Sequence, residues 1–228
     1  MRKDIFRVDM EQFHLLEGAF DMKRTKEIGR KSSGKRRRKP VVYLICEGSE
    51  TEIRYFKKFR SRECNIDIIP IPSQYKSADK LVQKAKATIG FNPYYPDEGD
   101  MMWCVFDRDD NTNAMLAKAK QEALKEGYQI AFSNPSFEIW FLLHFNNQTT
   151  SIENCDAVMK QLKKKGRLEQ YEKNKEVYEQ LKPLQEVAVE RAKSRVEALR
   201  REHIEILSRE SNPVTTVAEL VEYLKSKR

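Results

Sequence analysis

From Pro40 onward the sequence predicts an α/β fold: a parallel sheet flanked by helices, followed by an α-helical C-terminal extension. Three observations predict it. Short apolar runs alternate with stretches of helical period four times over, the pattern of right-handed βαβ units. Two of those runs end in acidic clusters, Val41–Cys46 leading into Glu47-Gly48-Ser49-Glu50 and Met101–Phe106 leading into Asp107-Arg108-Asp109-Asp110. Beyond Ile152 no segment reads as a convincing strand. The expected organisation is a basic, irregular tail over 1–39, an α/β domain over 40–150 and a helical region packed on it over 151–228.

In the tail only a short helix around 10–20 is suggested, and Lys31-Ser32-Ser33-Gly34 marks a linker. The first strand, 41–46, passes into a helix from about Glu50 to Arg60. Ser49 and Glu52 have capping-box spacing, the serine accepting from a backbone N–H and the glutamate reaching back. Ile53 and Phe56 give that helix an apolar face, Lys57 and Arg60 a basic one. Ile66–Ile71 is a second strand, which Pro70 ends or confines to a sheet edge because it has no N–H to donate. Ser77 opens a helix through about Ile89, with Leu81, Val82 and Ala85 at helical spacing. The third strand, 101–106, precedes a helix over 114–126 that Asp110 or Asn111 caps and Gly127 closes. Gln129–Ser133 is a fourth strand. Asn134-Pro135 has the chemistry of a helix start, a cap followed by the first helical residue. The almost wholly apolar stretch 136–145 is then a buried helix with Trp140 and His144 in the core. Val189, Ala192, Val196, Leu199 and Ile206 fall on one face of a long amphipathic helix. That face either packs on the domain or forms a homodimer or partner surface. Thr216 and Glu219 pair to cap a last helix.

Bulk chemistry narrows the function classes. Hydrophobic residues make up 39% and charged residues 34%, a core beneath a heavily charged surface. No run approaches the roughly 20 apolar residues of a membrane span, and the apolar segment of a secretory signal is missing. Cys46, Cys64, Cys104 and Cys155 lack CxxC spacing, so a cytoplasmic chain with reduced thiols is expected, without zinc or disulfides. The net charge of +8 is uneven: residues 1–40 hold thirteen Lys and Arg against six Asp and Glu, and the remainder is nearly balanced. That tail, densest at Lys35–Lys39, attracts phosphate polyanions without reading sequence. Neither GxxxxGK[ST] nor GxGxxG occurs, so ATP hydrolysis by this chain alone is not expected.

Chemistry concentrates at the carboxyl edge of the predicted sheet, where open α/β sheets place their ligands. If the first and third strands lie parallel, Glu47, Asp107 and Asp109 converge there. Asp107 and Asp109 are two apart and face the same side of an extended segment. Hard oxygen donors suit Mg²⁺ or Mn²⁺. Carboxylates this close repel and raise one another's pKa values, a conflict that a divalent cation resolves. Glu138, in the first turn of a buried helix, is a fourth candidate, as a ligand or as a group orienting the attacking water. Ser133 and Asn134 offer hydrogen bonds at the same edge.

These residues resemble those of known families. Cys46-Glu47-Gly48-Ser49 with Thr51-Glu52 resembles the first motif of the Toprim fold, and Asp107-Arg108-Asp109 its Asp-x-Asp motif. Ser133-Asn134-Pro135-Ser136-Phe137-Glu138-Ile139-Trp140, then Leu142-Leu143-His144-Phe145 and Asn212-Pro213-Val214-Thr215-Thr216, are similar to segments of RloB-like proteins, a Toprim-type family of bacterial defence loci. The resemblance runs from about residue 40 to the C-terminus. It implies a Toprim-like sheet with Glu47 as metal ligand or general acid/base and Asp107 and Asp109 holding Mg²⁺, and it makes Glu138 an active-site residue. It also implies a nuclease-type effector of phage defence, often encoded beside an AAA-type ATPase. Asp110 departs from the family, where a histidine is common at this position.

The expected activity is Mg²⁺- or Mn²⁺-dependent cleavage of DNA or RNA, with the basic faces of the 53–60 helix and the C-terminal helices following the phosphate backbone. Two alternatives stand beside it. Val105-Phe106-Asp107-Arg108-Asp109 also resembles the haloacid-dehalogenase nucleophile motif, in which Asp107 would attack phosphorus directly. The chain is otherwise a non-catalytic nucleic-acid or partner-binding module with a structural acidic cluster.

Overall fold

The computed structural model describes residues 38–228, so the expectations for the basic tail and its short helix lie outside the described residues. The apolar runs form four parallel strands, β1 (Val41–Cys46), β2 (Asp67–Pro72), β3 (Met101–Asp107) and β4 (Gln129–Asn134). A two-residue β5 (Val214–Thr215) adds antiparallel to β4, giving the order β2-β1-β3-β4-β5. The mostly parallel, helix-flanked sheet agrees with the Toprim-like expectation. Pro70 and Pro72 lie in β2 at the sheet edge, where a missing N–H does not interrupt pairing on two sides.

Strand alternation divides the core between the two faces of the sheet. Val42, Leu44, Cys46, Trp103 and Val105 point to one side, where they pack with residues of α1 (Thr51–Lys57), α4 (Glu138–Leu143), α5 (Cys155–Leu162), α6 (Tyr178–Leu181) and α8 (Val217–Ser226). Tyr43, Ile45, Met102, Cys104 and Phe106 point to the other, against α2 (Ala78–Ile89) and α3 (Asn113–Glu126). The long α7 (Gln185–Arg201) contributes Ala188, Val189 and Ala192 to the first side and Val196 and Leu199 to the second. Its apolar stripe is therefore buried within the chain's own core. Trp140 and His144 are core residues as expected, with His144 Nδ1 2.9 Å from the Trp140 carbonyl oxygen. Burial lowers the His144 pKa to about 4.

Several local expectations are corrected. Neither Ser49 nor Glu52 caps α1; Glu50 precedes it and Glu52 turns inward. Thr112, rather than Asp110 or Asn111, caps α3 by accepting from the Met115 N–H, while Asn111 Oδ1 accepts from the N–H of Ala78. Gly127 closes α3 with a left-handed φ of 72°, as its sequence position predicts. The helix after β4 begins at Glu138 instead of Pro135, and Asn134 ends the strand, donating from Nδ2 to the Ser208 carbonyl at 3.1 Å. The helix expected to include Ile206 stops at Arg201, and His203 follows with a left-handed φ of 58°. Thr216 Oγ1 accepts from the Phe132 N–H and so ties the start of α8 to β4 without capping the helix.

Candidate active site

Sheet geometry brings the sequence-predicted acids together at one edge. β1 and β3 are adjacent and parallel, with Cys46 opposite Val105. Glu47 extends that ladder by donating its N–H to the Val105 carbonyl at 2.9 Å, and its Oε2 accepts from the Asp107 N–H at 3.0 Å. Asp107 is the last residue of β3, opposite Ser133 of β4. The chain leaving β4 then places Glu138, only 2% exposed, at the first position of α4. Asp109 is the outlier: it is exposed, with a φ of 30°, and acts on Glu47 only through its charge. Ser133 and Asn134 turn into the fold, where Ser133 Oγ pairs with Thr215 Oγ1 at 3.1 Å. They are not gathered with the acids.

A fourth carboxylate joins Glu47, Asp107 and Glu138 that the sequence had assigned to helix capping. Glu52 is 6% exposed, and its carboxyl sits so close to Gly48 that a Cβ there would lie 2.1 Å from Oε2. Glycine at this turn leaves room for the Glu52 carboxyl, which a Cβ would displace. The available signal was Thr51-Glu52 within the Toprim-like motif, but capping-box spacing from Ser49 explained the same glutamate.

Burial and neighbouring carboxylates disfavour charge on Glu47, Glu52 and Asp107. Burial pushes Glu47 up to about 7, with Asp109 and Glu52 adding to the rise while the Asp107 N–H and Lys76 oppose it. Glu52 is likewise pushed up to about 7, by burial and then by Glu138, against the backbone of Glu52 and Gly48 and the charge of Lys173. Burial, then Glu52, Glu138 and Glu47, hold Asp107 well above the usual carboxylate range. Removal from water penalises each anion first, and its neighbours add to the penalty.

The segment between α5 and α6 closes one side of this cluster. Tyr171 OH donates to Glu138 Oε1 at 3.3 Å, and Lys173 Nζ lies 3.8 Å from the same oxygen. The Lys173 carbonyl accepts from Thr51 Oγ1 at 3.1 Å, which fixes the segment to α1. Cys155, at the start of α5, has Sγ 3.5 Å from Glu138 Oε2, and burial followed by the Glu138 charge raises its thiol to about 11. Glu138, and not Asp109, is thus the most heavily contacted acid of the cluster.

Donor chemistry fits a hard divalent cation: carboxyl oxygens, mutual repulsion and too little positive charge to offset it. Among the described residues, however, no three His, Cys, Asp or Glu side chains are gathered into a group that could hold a metal ion. Glu47 Oε2 accepts the Asp107 N–H, which leaves Oε1 for a cation. No helix among the described residues is long and apolar enough to cross a membrane. A family model described as RloB-like protein matches residues 42–224, which takes in every element from β1 to most of α8. No curated protein and no solved structure shows significant similarity to the chain.

Proposed function

This chain belongs to the RloB-like family, and from that premise and its acidic sheet edge we propose a metal-dependent nuclease. It would hydrolyse a phosphodiester bond of DNA or RNA as an effector of bacterial anti-phage defence. The observation that carries the proposal is the convergence of Glu47, Glu52 and Asp107, all with raised pKa values, beside the buried Glu138 at the sheet edge formed by β1, α1, β3 and α4. Structural carboxylates are ordinarily paired or solvated; an unneutralised buried group is a mark of a functional site.

Glu47 and Asp107 would hold Mg²⁺ or Mn²⁺, with Asp109 at the rim after rotation of its exposed side chain. Such a cation, when bound, neutralises charge on the phosphate and lowers the pKa of water. Alternatively Glu47, whose carboxyl is pushed up to about 7 by burial in the metal-free protein, would stay unligated and take or return a proton at the sheet edge. Glu138, held by Tyr171 and Lys173, would orient the attacking water. An AAA-type ATPase partner fits the family resemblance and the lack of a phosphate-binding loop in this chain.

The test is incubation of the purified chain with labelled single- and double-stranded DNA, RNA and tRNA in Mg²⁺, Mn²⁺ or EDTA, beside Glu47→Ala and Asp107→Ala. Metal-dependent cleavage lost in both variants is expected; full cleavage by Asp107→Ala would overturn the proposal. One observation favours the non-catalytic alternative: Lys173 already supplies an internal countercharge to Glu138. Nucleic-acid binding that is indifferent to EDTA, with no cleavage by the wild-type chain, would select that alternative.

A further inference from the structure

Basic residues on the helices first expected to follow nucleic acid are largely occupied within the chain. On and after α1, Arg54 pairs with Glu50 at 2.7 Å, Lys58 with Glu176 at 2.8 Å, and Arg60 Nε donates to the Ile68 carbonyl at 2.7 Å. On α7 and α8, Arg191 donates to Leu143, Arg195 to Pro213, and Lys193 and Lys225 pair with Glu222 and Glu186. The segment between α5 and α6 differs. Lys163, Lys164, Lys165 and Lys175 are exposed, and no hydrogen bond or ion pair engages their ammonium groups among the described residues. Favourable placement at the C-terminal end of α5 accounts for Lys160 and Lys163. It does not account for Lys164, Lys165 or Lys175.

The same segment forms a groove of about 340 Å³ lined by Arg167, Glu169, Tyr171, Lys175, Glu176 and neighbouring residues. Its two acids are engaged: Glu169 Oε1 accepts from the Gly166 N–H at 2.8 Å, and Glu176 pairs with Lys58. Lys58 neutralises Glu176, whereas Glu169 keeps its charge; Arg167, which also donates to the Gln161 carbonyl at 3.0 Å, and Lys175 leave the groove a small positive balance. Tyr171 belongs to both sites, lining the groove while its hydroxyl donates to Glu138. At about 1.5 Å per residue, the eight residues of α5 put Lys163 about 12 Å from the Glu138 end. That is a few phosphates along one strand, at about 3.4 Å of axis each.

We propose that this groove, with the Lys163–Lys165 turn, is the track that binds substrate phosphates flanking the scissile bond. The proposal rests on the nuclease assignment and adds the surface that holds the strand. Contacts of this kind position a backbone and do not read its sequence.

The test is binding of a labelled oligonucleotide to the full chain in EDTA across a KCl series. The variants are Lys163→Ala/Lys164→Ala/Lys165→Ala and Arg167→Ala/Lys175→Ala, with Lys80→Ala/Lys86→Ala/Lys125→Ala on α2 and α3 as the opposite-face control. The triple variant at the turn should lose roughly tenfold or more in affinity, its salt slope falling by about 2–3, at 0.7–0.9 per lost contact. The double variant should lose less, and the control should match wild type, all with unchanged melting temperature. Equal losses in the turn variant and the control, or none in either, would overturn the track while leaving a cleaving wild-type enzyme intact. A wild-type chain that binds an acidic protein but no nucleic acid would overturn both the track and the nuclease assignment.

Discussion

Replacing Glu52 with glutamine should stabilise the metal-free protein at alkaline pH. The side chain is 6% exposed, and burial first, then Glu138, shifts its protonation to about 7 from an ordinary 4.5. Folded-state affinity for the proton exceeds unfolded-state affinity, so the stabilising contribution is fully present below pH 4.5. It is lost as pH rises through 7. A displacement of this size corresponds to about 3 kcal/mol, an upper figure because the neighbouring acids titrate together. For a folded unit of this size, 1 kcal/mol moves the melting temperature by about 2–4 °C, so the whole effect is bounded near 6–12 °C. Glutamine keeps an acceptor for the backbone beside Gly48 and removes the charge. Thermal unfolding in EDTA at pH 5 and pH 8 should show Glu52→Gln near wild type at the lower pH and several degrees above it at the higher. Glu47, also near 7, keeps part of the pH dependence in the variant. A variant that melts below wild type by the same margin at both pH values would refute the electrostatic account and make Glu52 an ordinary packing residue.

Mg²⁺ or Mn²⁺ should raise the wild-type melting temperature at pH 8, where the acids are ionised, and have little effect at pH 5; a hundredfold excess over Kd is worth about 2.7 kcal/mol, and Asp107→Asn should abolish it. Gly48→Ala should expel the Glu52 carboxyl, because a Cβ would lie 2.1 Å from Oε2. Cleavage should then fall as far as in Glu52→Ala, and the double variant should show no further loss, a non-additivity read from the double-mutant cycle. His144 acts with the opposite sign. Its folded pKa of about 4 lies below the ordinary 6.5, so stability is present above pH 6.5 and is lost as pH falls through 4, by about 3 kcal/mol. Acid titration of unfolding should show a shallower decline in His144→Gln.

Where a segment's pattern had one physical solution, sequence and structure agree. Val41–Cys46 and Met101–Phe106 are short apolar runs with β-branched and aromatic residues, each set between turn residues and a helical pattern, which fits buried strands. Parallel pairing then places Glu47 and Asp107 side by side without further information. Gly127 was legible for the same reason, since few residues tolerate its left-handed dihedral. The errors occur where one letter has two competing uses. Ser49-x-x-Glu52 and Thr216-x-x-Glu219 both have capping-box spacing, yet Glu52 turns into the acidic cluster and Thr216 into β4. β5 is two residues long, below the length at which alternation can be detected, and depends on β4 for its hydrogen bonds. Tyr171 and Lys173 reach Glu138 from more than thirty positions away, along a segment with no regular period to announce it.

Those distant contacts bear on why the cluster survives folding at all. Four carboxyls gathered at a sheet edge oppose the packing that gathers them, and the fold offsets only part of the repulsion. Tyr171 and Lys173 serve Glu138, a backbone N–H serves Glu47, and Asp107 remains well above the carboxylate range. Apolar packing supplies the remaining stability: Phe56, Phe137, Phe141 and Tyr171 are almost fully buried in the core on one side of the sheet, each worth several kcal/mol against truncation. If the cluster were merely a tolerated defect, neutralising Glu52 or Asp107 would stabilise the protein and leave its chemistry unchanged. The nuclease assignment requires the reverse coupling, in which Glu52→Gln or Asp107→Asn gains stability at pH 8 and loses cation binding and cleavage together. Measuring melting temperature, Mn²⁺ affinity and cleavage on the same two variants separates these cases: stability gained with cleavage intact rejects the site, and the opposed pair of changes supports it.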